Sequence, residues 1–515
     1  MRFTAASALA VRPPTVQRAA PILVTGSAVL GAFLFSAGGP VTAELLLATL
    51  FVVGFVGLSA SRPAFSVIGL VAWVPIQTTV LSYLYHLGVP GSLARNVGYL
   101  KELWAIGLAI AVLRSGALRR RFDALDWLVV LYVGIASVYL FLPLAAPGAL
   151  GGVPWSGRVN AWRLLALAVV VFFCARRLSF SAAVMSRLFV IVAVITLILT
   201  GFALWESIDA NGFNDFLVNT IGLPAFKADL FDSPFPDPTY VLLASGDNAF
   251  NYTRVGSLFN NPLTLGFFML IPFGLALERI GGRRMWQLAA VVGGASLYTI
   301  FLTVTRSAVV GAGVAVLLVA AFQASRASRQ RLRLFVVLGI ALALLLPVAG
   351  HSATVGRFEG LFNPVHRDDS SQEHVETTPA AFAAALRTPL GRGLGANTST
   401  GTRFGVSTSI TSDNSYIETA NEIGMVPAVL FVAALLMLLR RLRERAQEIG
   451  AAASLAGGLW LAGSGLAVAG LFLQTWYDLT TSLAFWVLAG VALSDRAEPE
   501  EPDYVDAKEL MTSAY

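Results

Sequence analysis

Apolar segments long enough to cross a membrane recur along almost the whole chain, and they constrain its fold more than any other sequence feature. A helix needs about 20 mainly apolar residues to span the hydrocarbon core of a bilayer. Only 13% of the residues are charged, whereas soluble domains carry about 25%. We expect about fourteen spanning helices, at residues 21–35, 43–60, 64–83, 98–113, 125–142, 161–174, 188–205, 262–277, 286–304, 308–322, 334–348, 416–439, 455–473 and 482–493. The sequence therefore predicts an all-α, polytopic transmembrane helix bundle.

The arginines predict which loops face the cytoplasm, because cytoplasmic loops carry an excess of Lys and Arg. If the N-terminus lies inside, all strong clusters fall on the cytoplasmic side, at Arg62, Arg114, Arg119, Arg120, Arg121, Arg176, Arg177, Arg187, Arg279, Arg283, Arg284, Arg326, Arg329, Arg331, Arg333, Arg440, Arg441, Arg443 and Arg445. Both long polar intervals of the chain then lie on the outer side. The second interval, from His351 to Gly424, contains three of the four histidines. We expect chemistry in contact with water to take place in this interval, because it contains no membrane-length apolar segment.

This alternation also predicts the organisation of the chain. The expected segments are a cytoplasmic N-terminus (1–20), transmembrane helices (21–205), an outer loop (206–254), transmembrane helices (255–350), a large extracytoplasmic loop with short helices (351–412), transmembrane helices (413–494) and an acidic cytoplasmic tail (495–515). In the large loop, Thr378-Pro379 is typical of a helix start, with Thr as the N-cap and Pro at the first helical position. We expect that helix to end at Thr388-Pro389, before the glycine-rich turn at Gly391–Gly395.

Several function classes are excluded or disfavoured. The net charge of +6 is spread over the inner loops rather than gathered on one basic face, so we expect no nucleic-acid partner. The single cysteine, Cys174, excludes a disulfide framework or a cysteine metal site within one chain. Neither HExxH nor GxSxG occurs, and we expect no catalytic metal and no serine acyl transfer. The glycines of 391–395 follow no predicted strand, which disfavours a phosphate loop.

Two arginines are exceptions on the outer side. Arg254 lies at the outer entrance of the eighth predicted helix, and Arg306 lies in a very short outer turn between the ninth and tenth. Fixed guanidinium groups at that depth suit a phosphate or diphosphate head group, because arginine binds such oxyanions through two hydrogen bonds and stays charged. Alternatively, each reaches lipid phosphates or pairs with a loop carboxylate.

Acidic and amide side chains gather where the chain enters the twelfth predicted helix. Asp413 precedes that helix, and Glu418 and Glu422 share a helical face. A carboxylate beside arginines can act as a general base or orient an acceptor hydroxyl, although Asp413 could also simply cap the helix. Further candidates for base or acceptor binding are Glu373, His374, Glu376 and Asp478, with ordinary solvated loop residues as the alternative.

The order of these motifs resembles that of the O-antigen ligase and O-antigen polymerase (Wzy-type) family of multi-pass envelope proteins. The resemblance covers about residues 251–439, and it rests on Arg254-Val-Gly-Ser-Leu-Phe-Asn-Asn261-Pro, Thr305-Arg306-Ser, Pro389-Leu-Gly-Arg392-Gly-Leu-Gly and Asp413-Asn414-Ser-Tyr-Ile-Glu418 with Asn421-Glu422-Ile-Gly. It implies an inverting, metal-independent glycosyltransferase of surface polysaccharide biosynthesis in the bacterial plasma membrane. Its substrates would be a glycan carried on undecaprenyl diphosphate and a glycan or lipid acceptor, with membrane lipids around it.

The resemblance also assigns roles to residues. Arg254 and Arg306 would hold the diphosphate, and Asp413 is the third candidate catalytic residue. Substrate-binding residues would be Asn261, His374, Glu376, Arg392, Asn414 and Glu418. Ligases that attach glycan to the lipid A core carry His-Asn where this chain has Asp413-Asn414, so the departure favours a polymerase of a capsular polysaccharide or exopolysaccharide.

Two other functions remain open. A secondary transporter or lipid-glycan flippase would bury ionisable residues near the bilayer midplane, and Lys101-Glu102 in the fourth predicted helix fits this hypothesis best. A multi-pass transferase that polymerises peptidoglycan precursors would fit the topology but not the surroundings of Asp413.

Overall fold

The computed structural model describes residues 40–142, 153–231, 241–243, 251–280, 285–322, 369–396 and 413–494. These residues are helical apart from connecting turns and one short ribbon, in which strand β1 (Val241–Leu243) pairs antiparallel with β2 (Asn251–Thr253). The expected all-helical class is confirmed for this part of the chain. The predicted helices at 21–35 and 334–348 lie outside the described residues.

The first half of the bundle contains eleven of the described helices. They are α1 (Pro40–Ser61), α2 (Pro63–Trp73), α3 (Gln77–His86), α4 (Gly91–Val97), α5 (Leu100–Arg114), α6 (Ala124–Phe141), α7 (Trp155–Trp162), α8 (Ala168–Arg177), α9 (Ala182–Ile208), α10 (Ala210–Asp215) and α11 (Leu223–Phe231). A π-helical turn, Arg163–Leu167, joins α7 to α8, and another, Phe216–Thr220, follows α10. The predicted outer loop after residue 205 thus contains short helices that the sequence pattern did not indicate.

The second half contains eight described helices. They are α12 (Pro262–Ile280), α13 (Trp286–Leu302), α14 (Arg306–Phe322), α15 (Asp369–Arg387), α16 (Ser415–Ile423), α17 (Met425–Ala446), α18 (Ala451–Ala469) and α19 (Leu479–Ala492). Short 3-10 turns at Ser257–Phe259 and Thr475–Tyr477 precede α12 and α19.

Seven helical segments of the described chain are long and apolar enough to cross a membrane. They are Gly91–Arg114, Ala124–Phe141, Trp155–Arg177, Ala182–Ile208, Pro262–Ile280, Met425–Ala446 and Ala451–Ala469. An eighth is obtained if α1 and α2, bent by 112° between Ser61 and Pro63, count as one broken span. The apolar helices α13, α14 and α19 are shorter. The protein is thus a multi-pass membrane protein, and the expected total of about fourteen spans stays a prediction.

Three predicted helix boundaries were wrong. The helix predicted at 64–83 is divided by a turn after Trp73. The one predicted at 416–439 breaks at Gly424, whose φ of +97° is incompatible with a continuous helix. The helix expected to begin at Thr378-Pro379 begins at Asp369 instead and contains Pro379. A continuous apolar pattern indicates burial, but it does not reveal where the backbone turns within a buried segment.

Close contacts at glycines show how three central helices run relative to one another. A Cβ on Gly274 of α12 would lie 2.5 Å from the Gly458 carbonyl oxygen of α18, and a Cβ on Gly311 of α14 would lie 2.8 Å from that of Gly465. The same Gly311 position faces Leu270. Small residues allow membrane helices to approach this closely. Helix α18 therefore runs antiparallel to α12 and α14, and its C-terminal end lies level with their beginnings.

Ion pairs define the opposite end of the bundle, called here the basic end. Arg176 contacts Asp123 at 2.6 Å and Asp126 at 2.5 Å, Arg177 contacts Asp126 at 2.6 Å, and Arg441 lies 3.7 Å from Asp123. Burial alone would raise the pKa of the Asp123 carboxyl, but hydrogen bonds from Arg176 and the Asp126 N–H outweigh it and hold that pKa below its usual range. Arginines from two of the predicted cytoplasmic clusters, at 176–177 and 440–445, thus meet the acidic residues that follow a third, at 119–121.

Candidate functional site

The end where α12 and α14 begin, called here the site end, brings together the two segments that carry the outer arginines. Arg254 donates from Nε to the Thr303 carbonyl oxygen at 2.9 Å and from Nη2 to the Thr305 hydroxyl at 3.1 Å. The Thr305 hydroxyl in turn donates to the Pro262 carbonyl oxygen at 3.3 Å. Arg306 is the next residue and begins α14. Both arginines are half-buried.

The loop from Val255 to Asn261 positions Arg254. The Ser257 hydroxyl donates to the Leu199 carbonyl oxygen of α9 at 2.8 Å, and the Thr79 hydroxyl of α3 donates to the Leu258 carbonyl oxygen at 2.7 Å. The carboxylate of Glu206 accepts from the backbone N–H groups of the same loop. Sequence reasoning missed Glu206. A signal was present, because it is the one acidic residue in the 27 residues of α9.

Asn261 caps α12. Its side-chain oxygen accepts from the N–H of Leu263 at 2.9 Å and of Thr264 at 3.3 Å, which satisfies helix donors that have no partner within the helix. This is a structural use of a residue predicted to bind substrate. A direct substrate contact by Asn261 stays a prediction.

Asp413 and Asn414 reach the site end through the turn after α18. The Asn414 side chain donates to the Leu471 carbonyl oxygen at 2.8 Å, and the Ser415 N–H donates to that of Gly470 at 2.9 Å. Asn414 also caps α16, because its side-chain oxygen accepts from the N–H of Tyr416 at 2.9 Å and of Ile417 at 3.0 Å. The capping role considered for Asp413 therefore belongs to Asn414. Asp413 itself is half-buried beside the cap.

A contact between α12 and α19 links these two parts of the site end. The Asp478 carboxylate faces the Thr264 side chain and caps α19 through the N–H of Thr480 at 2.9 Å. Burial raises the pKa of Asp478, although these polar neighbours oppose the shift. Asp478 was weighed as a weak acceptor-binding candidate. In the structure it is a half-buried link between the helix that follows Arg254 and the turn that holds Asn414.

The carboxylates of Glu418 and Glu422 are fully buried. They lie on one face of α16 together with Ser415 and Thr419, as their spacing predicted. This face packs against the turn before α19, where the Ser415 hydroxyl donates to the Leu473 carbonyl oxygen at 3.0 Å and the Tyr477 hydroxyl lies 3.4 Å from that of Thr419. Substrate contact by Glu418, which was predicted, would require α16 to move.

The loop after α15 closes the C-terminal end of α16. The N–H groups of Arg392 and Gly393 donate to the carbonyl oxygens of Asn421 at 2.8 Å and Glu422 at 2.9 Å. A Cβ on Gly391 would lie 2.6 Å from the Glu422 carbonyl oxygen, so only glycine fits there. These glycines therefore build a helix-capping loop. The Arg392 side chain is half-buried at the same end of the bundle.

The side chains of the remaining candidates lie outside the described residues. His374 and Glu376 belong to α15, but their side chains, like that of Glu373, are outside the described part of the chain, as are His351 and His366. Their substrate contacts stay predictions. Among the described residues, no three His, Cys, Asp or Glu side chains are grouped closely enough to hold a metal ion.

Part of the chain matches a known protein family. Residues 290–432 match the model of a protein family described as O-antigen ligase. The match includes Arg306, the capping loop at Arg392 and the helix start at Asp413, and it begins after Arg254. No curated protein matches the chain significantly. The chain is therefore a multi-pass membrane protein whose residues 290–432 are similar to the O-antigen ligase family.

Proposed function

We propose that this protein is an inverting, metal-independent glycosyltransferase that polymerises or ligates a glycan carried on undecaprenyl diphosphate. The site end would face the outside of the bacterial plasma membrane, and both termini would lie in the cytoplasm. The match to the O-antigen ligase family supports a role in envelope polysaccharide biosynthesis. The carrier, the stereochemistry and the orientation are parts of the proposal.

The observation that carries the proposal is the meeting of the two arginine segments at the site end. Arg254 and Arg306 lie 52 positions apart in the chain, yet Arg254 bonds the turn that immediately precedes Arg306. A diphosphate carries several negative charges. Each planar guanidinium group can form two parallel hydrogen bonds to its oxygens. A site at the end of a membrane bundle also suits a carrier whose lipid tail stays in the bilayer.

The proposed chemistry needs charge stabilisation more than covalent catalysis. The acceptor hydroxyl oxygen forms a bond to the anomeric carbon while the bond from that carbon to the diphosphate oxygen breaks. The electron pair of the broken bond passes to the diphosphate, where Arg254 and Arg306 would stabilise the new charge. The hydroxyl proton would pass to Asp413, or Asp413 would orient the acceptor while another group takes the proton. Attack from the face opposite the diphosphate inverts the configuration.

The test is a glycan ladder from cells that carry Arg254→Ala or Arg306→Ala in the full chain. Each variant should lower the amount of polymerised or attached glycan by about 100-fold or more, the cost of removing one preorganised charge stabiliser. Membrane fractions probed for the protein establish that the variants are inserted. Arg441→Ala, at the basic end, is the matched control. Inserted variants with an unchanged ladder would show that the proposed transferase function is wrong.

A lipid-glycan flippase is the second candidate, and one observation favours it. Glu102 of α5 forms an ion pair with Arg163 of the π-helical turn, and Lys101 lies 3.9 Å from the same carboxylate. Ionisable groups inside membrane bundles often mark transport paths. Loss of a flippase leaves lipid-linked units on the cytoplasmic leaflet, whereas loss of a transferase leaves them on the outer leaflet. The leaflet on which they accumulate in the Arg254→Ala strain therefore distinguishes the two functions.

A further inference from the structure

We infer that Glu206 is a positioning residue for Arg254, and that it tunes how the protein binds a lipid-linked diphosphate. This inference rests on the proposed function, because it assumes that Arg254 binds the diphosphate. Glu206 lies near the C-terminal end of α9, outside the segment that matches the O-antigen ligase family.

The Glu206 carboxylate is buried and bonded to the loop that follows Arg254. One of its oxygens accepts from the N–H of Ser257 at 2.7 Å, and the N–H of Gly256 lies 3.2 Å and 3.1 Å from the two oxygens. Only 4% of the residue is exposed. Hydrogen bonds from backbone N–H groups to an ionised carboxylate are stronger than those between neutral groups. The carboxylate thus fixes the backbone two and three residues after Arg254.

The loop needs such an anchor because its backbone is strained. Ser257 has a φ of +49°, which is uncommon for a residue with a side chain. A Cβ on Gly256 would lie 2.8 Å from the Asn261 nitrogen, so the loop closes tightly on itself. Strained backbone persists only where its surroundings over-determine it, and it is concentrated at functional sites. Without the carboxylate, the loop would depend on the bonds from Ser257 to Leu199, from Thr79 to Leu258 and from Val255 to Leu302, and on those of Arg254 itself. None of these reaches the N–H groups of Gly256 and Ser257.

The consequence concerns Arg254 rather than the fold alone. Its guanidinium reaches the Thr303 carbonyl oxygen and the Thr305 hydroxyl from a backbone that Glu206 holds. A shift of the loop would move the guanidinium away from that turn and from the neighbouring Arg306. The affinity for a diphosphate would then fall, while the affinity for an uncharged lipid of the same chain length would not.

The experiment measures binding by the full chain in lipid nanodiscs, with undecaprenyl diphosphate and undecaprenol as the two probes. Glu206→Gln keeps the size of the side chain but replaces one acceptor oxygen by an amide group that cannot accept. It should raise the Kd for undecaprenyl diphosphate about tenfold and leave the Kd for undecaprenol unchanged. The double variant with Arg254→Ala should bind no more weakly than Arg254→Ala alone, because the two residues act as one unit.

The matched control is Asp209→Asn. Asp209 follows three residues later, and its carboxylate also accepts a backbone N–H, that of Gly212 at 2.9 Å, but this bond does not reach the Arg254 loop. The control should leave both Kd values unchanged. If Glu206→Gln cannot be recovered folded, Glu206→Asp takes its place and should raise the Kd for the diphosphate lipid by a smaller factor.

The outcomes separate the two proposals. If Glu206→Gln raises the Kd for both probes equally, Glu206 has a structural role and the positioning role is overturned. The same conclusion follows if the effects of Glu206→Gln and Arg254→Ala on the Kd for undecaprenyl diphosphate are fully additive. An effect of Arg254→Ala without any effect of Glu206→Gln would overturn it as well, and the proposed function would stand. If Arg254→Ala binds the diphosphate lipid as well as the native protein does, the proposed function fails and this inference fails with it.

Discussion

The two ends of the bundle use arginine in different ways. At the basic end, Arg176 and Arg177 contact the carboxylates of Asp123 and Asp126 at 2.5–2.6 Å. At the site end, Arg254 donates to a carbonyl oxygen and a hydroxyl group, which are uncharged acceptors. The described contacts of the basic end are thus ion pairs that join helices through their side chains. Those of Arg254 fix its guanidinium against the turn before Arg306.

The length of helix α17 gives the distance between these two ends. It begins at Met425 beside the capping loop and ends at Ala446 near the basic end, and its 22 residues span about 33 Å at 1.5 Å per residue. Two unit charges that far apart interact by only about 0.5 kcal/mol at an effective dielectric constant of about 20. Charge changes at one end should therefore leave the electrostatics of the other nearly unaffected, and variants at the two ends should have separable effects.

The largest expected effect is on stability at the basic end. Asp126→Ala removes a buried carboxylate that contacts Arg176 at 2.5 Å and Arg177 at 2.6 Å. Breaking a buried pair by removing one partner costs about 3–5 kcal/mol, because the other charge stays buried. Thermal unfolding of the detergent-solubilised protein should occur at a clearly lower temperature. Glycan transfer per inserted molecule should not change, and a loss as large as that in Arg254→Ala would contradict the separation of the two ends.

The next effect is on activity at the site end. Arg254→Lys keeps the charge, but a single ammonium group cannot reproduce the planar fork that reaches both Thr303 and Thr305. Glycan transfer should fall by about 10-fold to 100-fold, and the unfolding temperature should change little. Arg441→Lys at the basic end, where the side chain is 45% exposed, is the control and should retain full activity. Full activity of Arg254→Lys would mean that position 254 contributes charge alone.

The sequence predicts much of this comparison but not its details. Apolar length predicted the helical class, and the arginine distribution predicted that residues 176, 177 and 441 lie at one end. Arg254 and Arg306 were chosen as exceptions to the same rule. Only the family resemblance implied that the two meet. The residues alone did not, because hydrogen-bond partners 49 and 51 residues apart leave no pattern in a single sequence.

The break at Gly424 was missed for another reason. Gly424 followed by Pro427 is a local signal for a helix end, but the apolar run that continues to Leu439 was given more weight. The stop depends on a loop about thirty residues earlier, whose Arg392 and Gly393 N–H groups bond the last carbonyl oxygens of α16. Glu206 was missed because its partners at 256 and 257 belong to another segment.

The smallest expected effect tests whether burial, rather than the number of ion pairs, makes the basic end stable. Glu444 accepts from Arg440 at 2.9 Å on the exposed surface of α17, where the two side chains are 45% and 78% exposed. Water and salt screen such pairs, so Glu444→Gln should leave both the unfolding temperature and glycan transfer unchanged within error. The same unfolding measurement used for Asp126→Ala checks this. If Glu444→Gln lowered the unfolding temperature as much as Asp126→Ala, the stability of this end would come from its overall charge balance, and the buried contacts of Asp126 would have no special role.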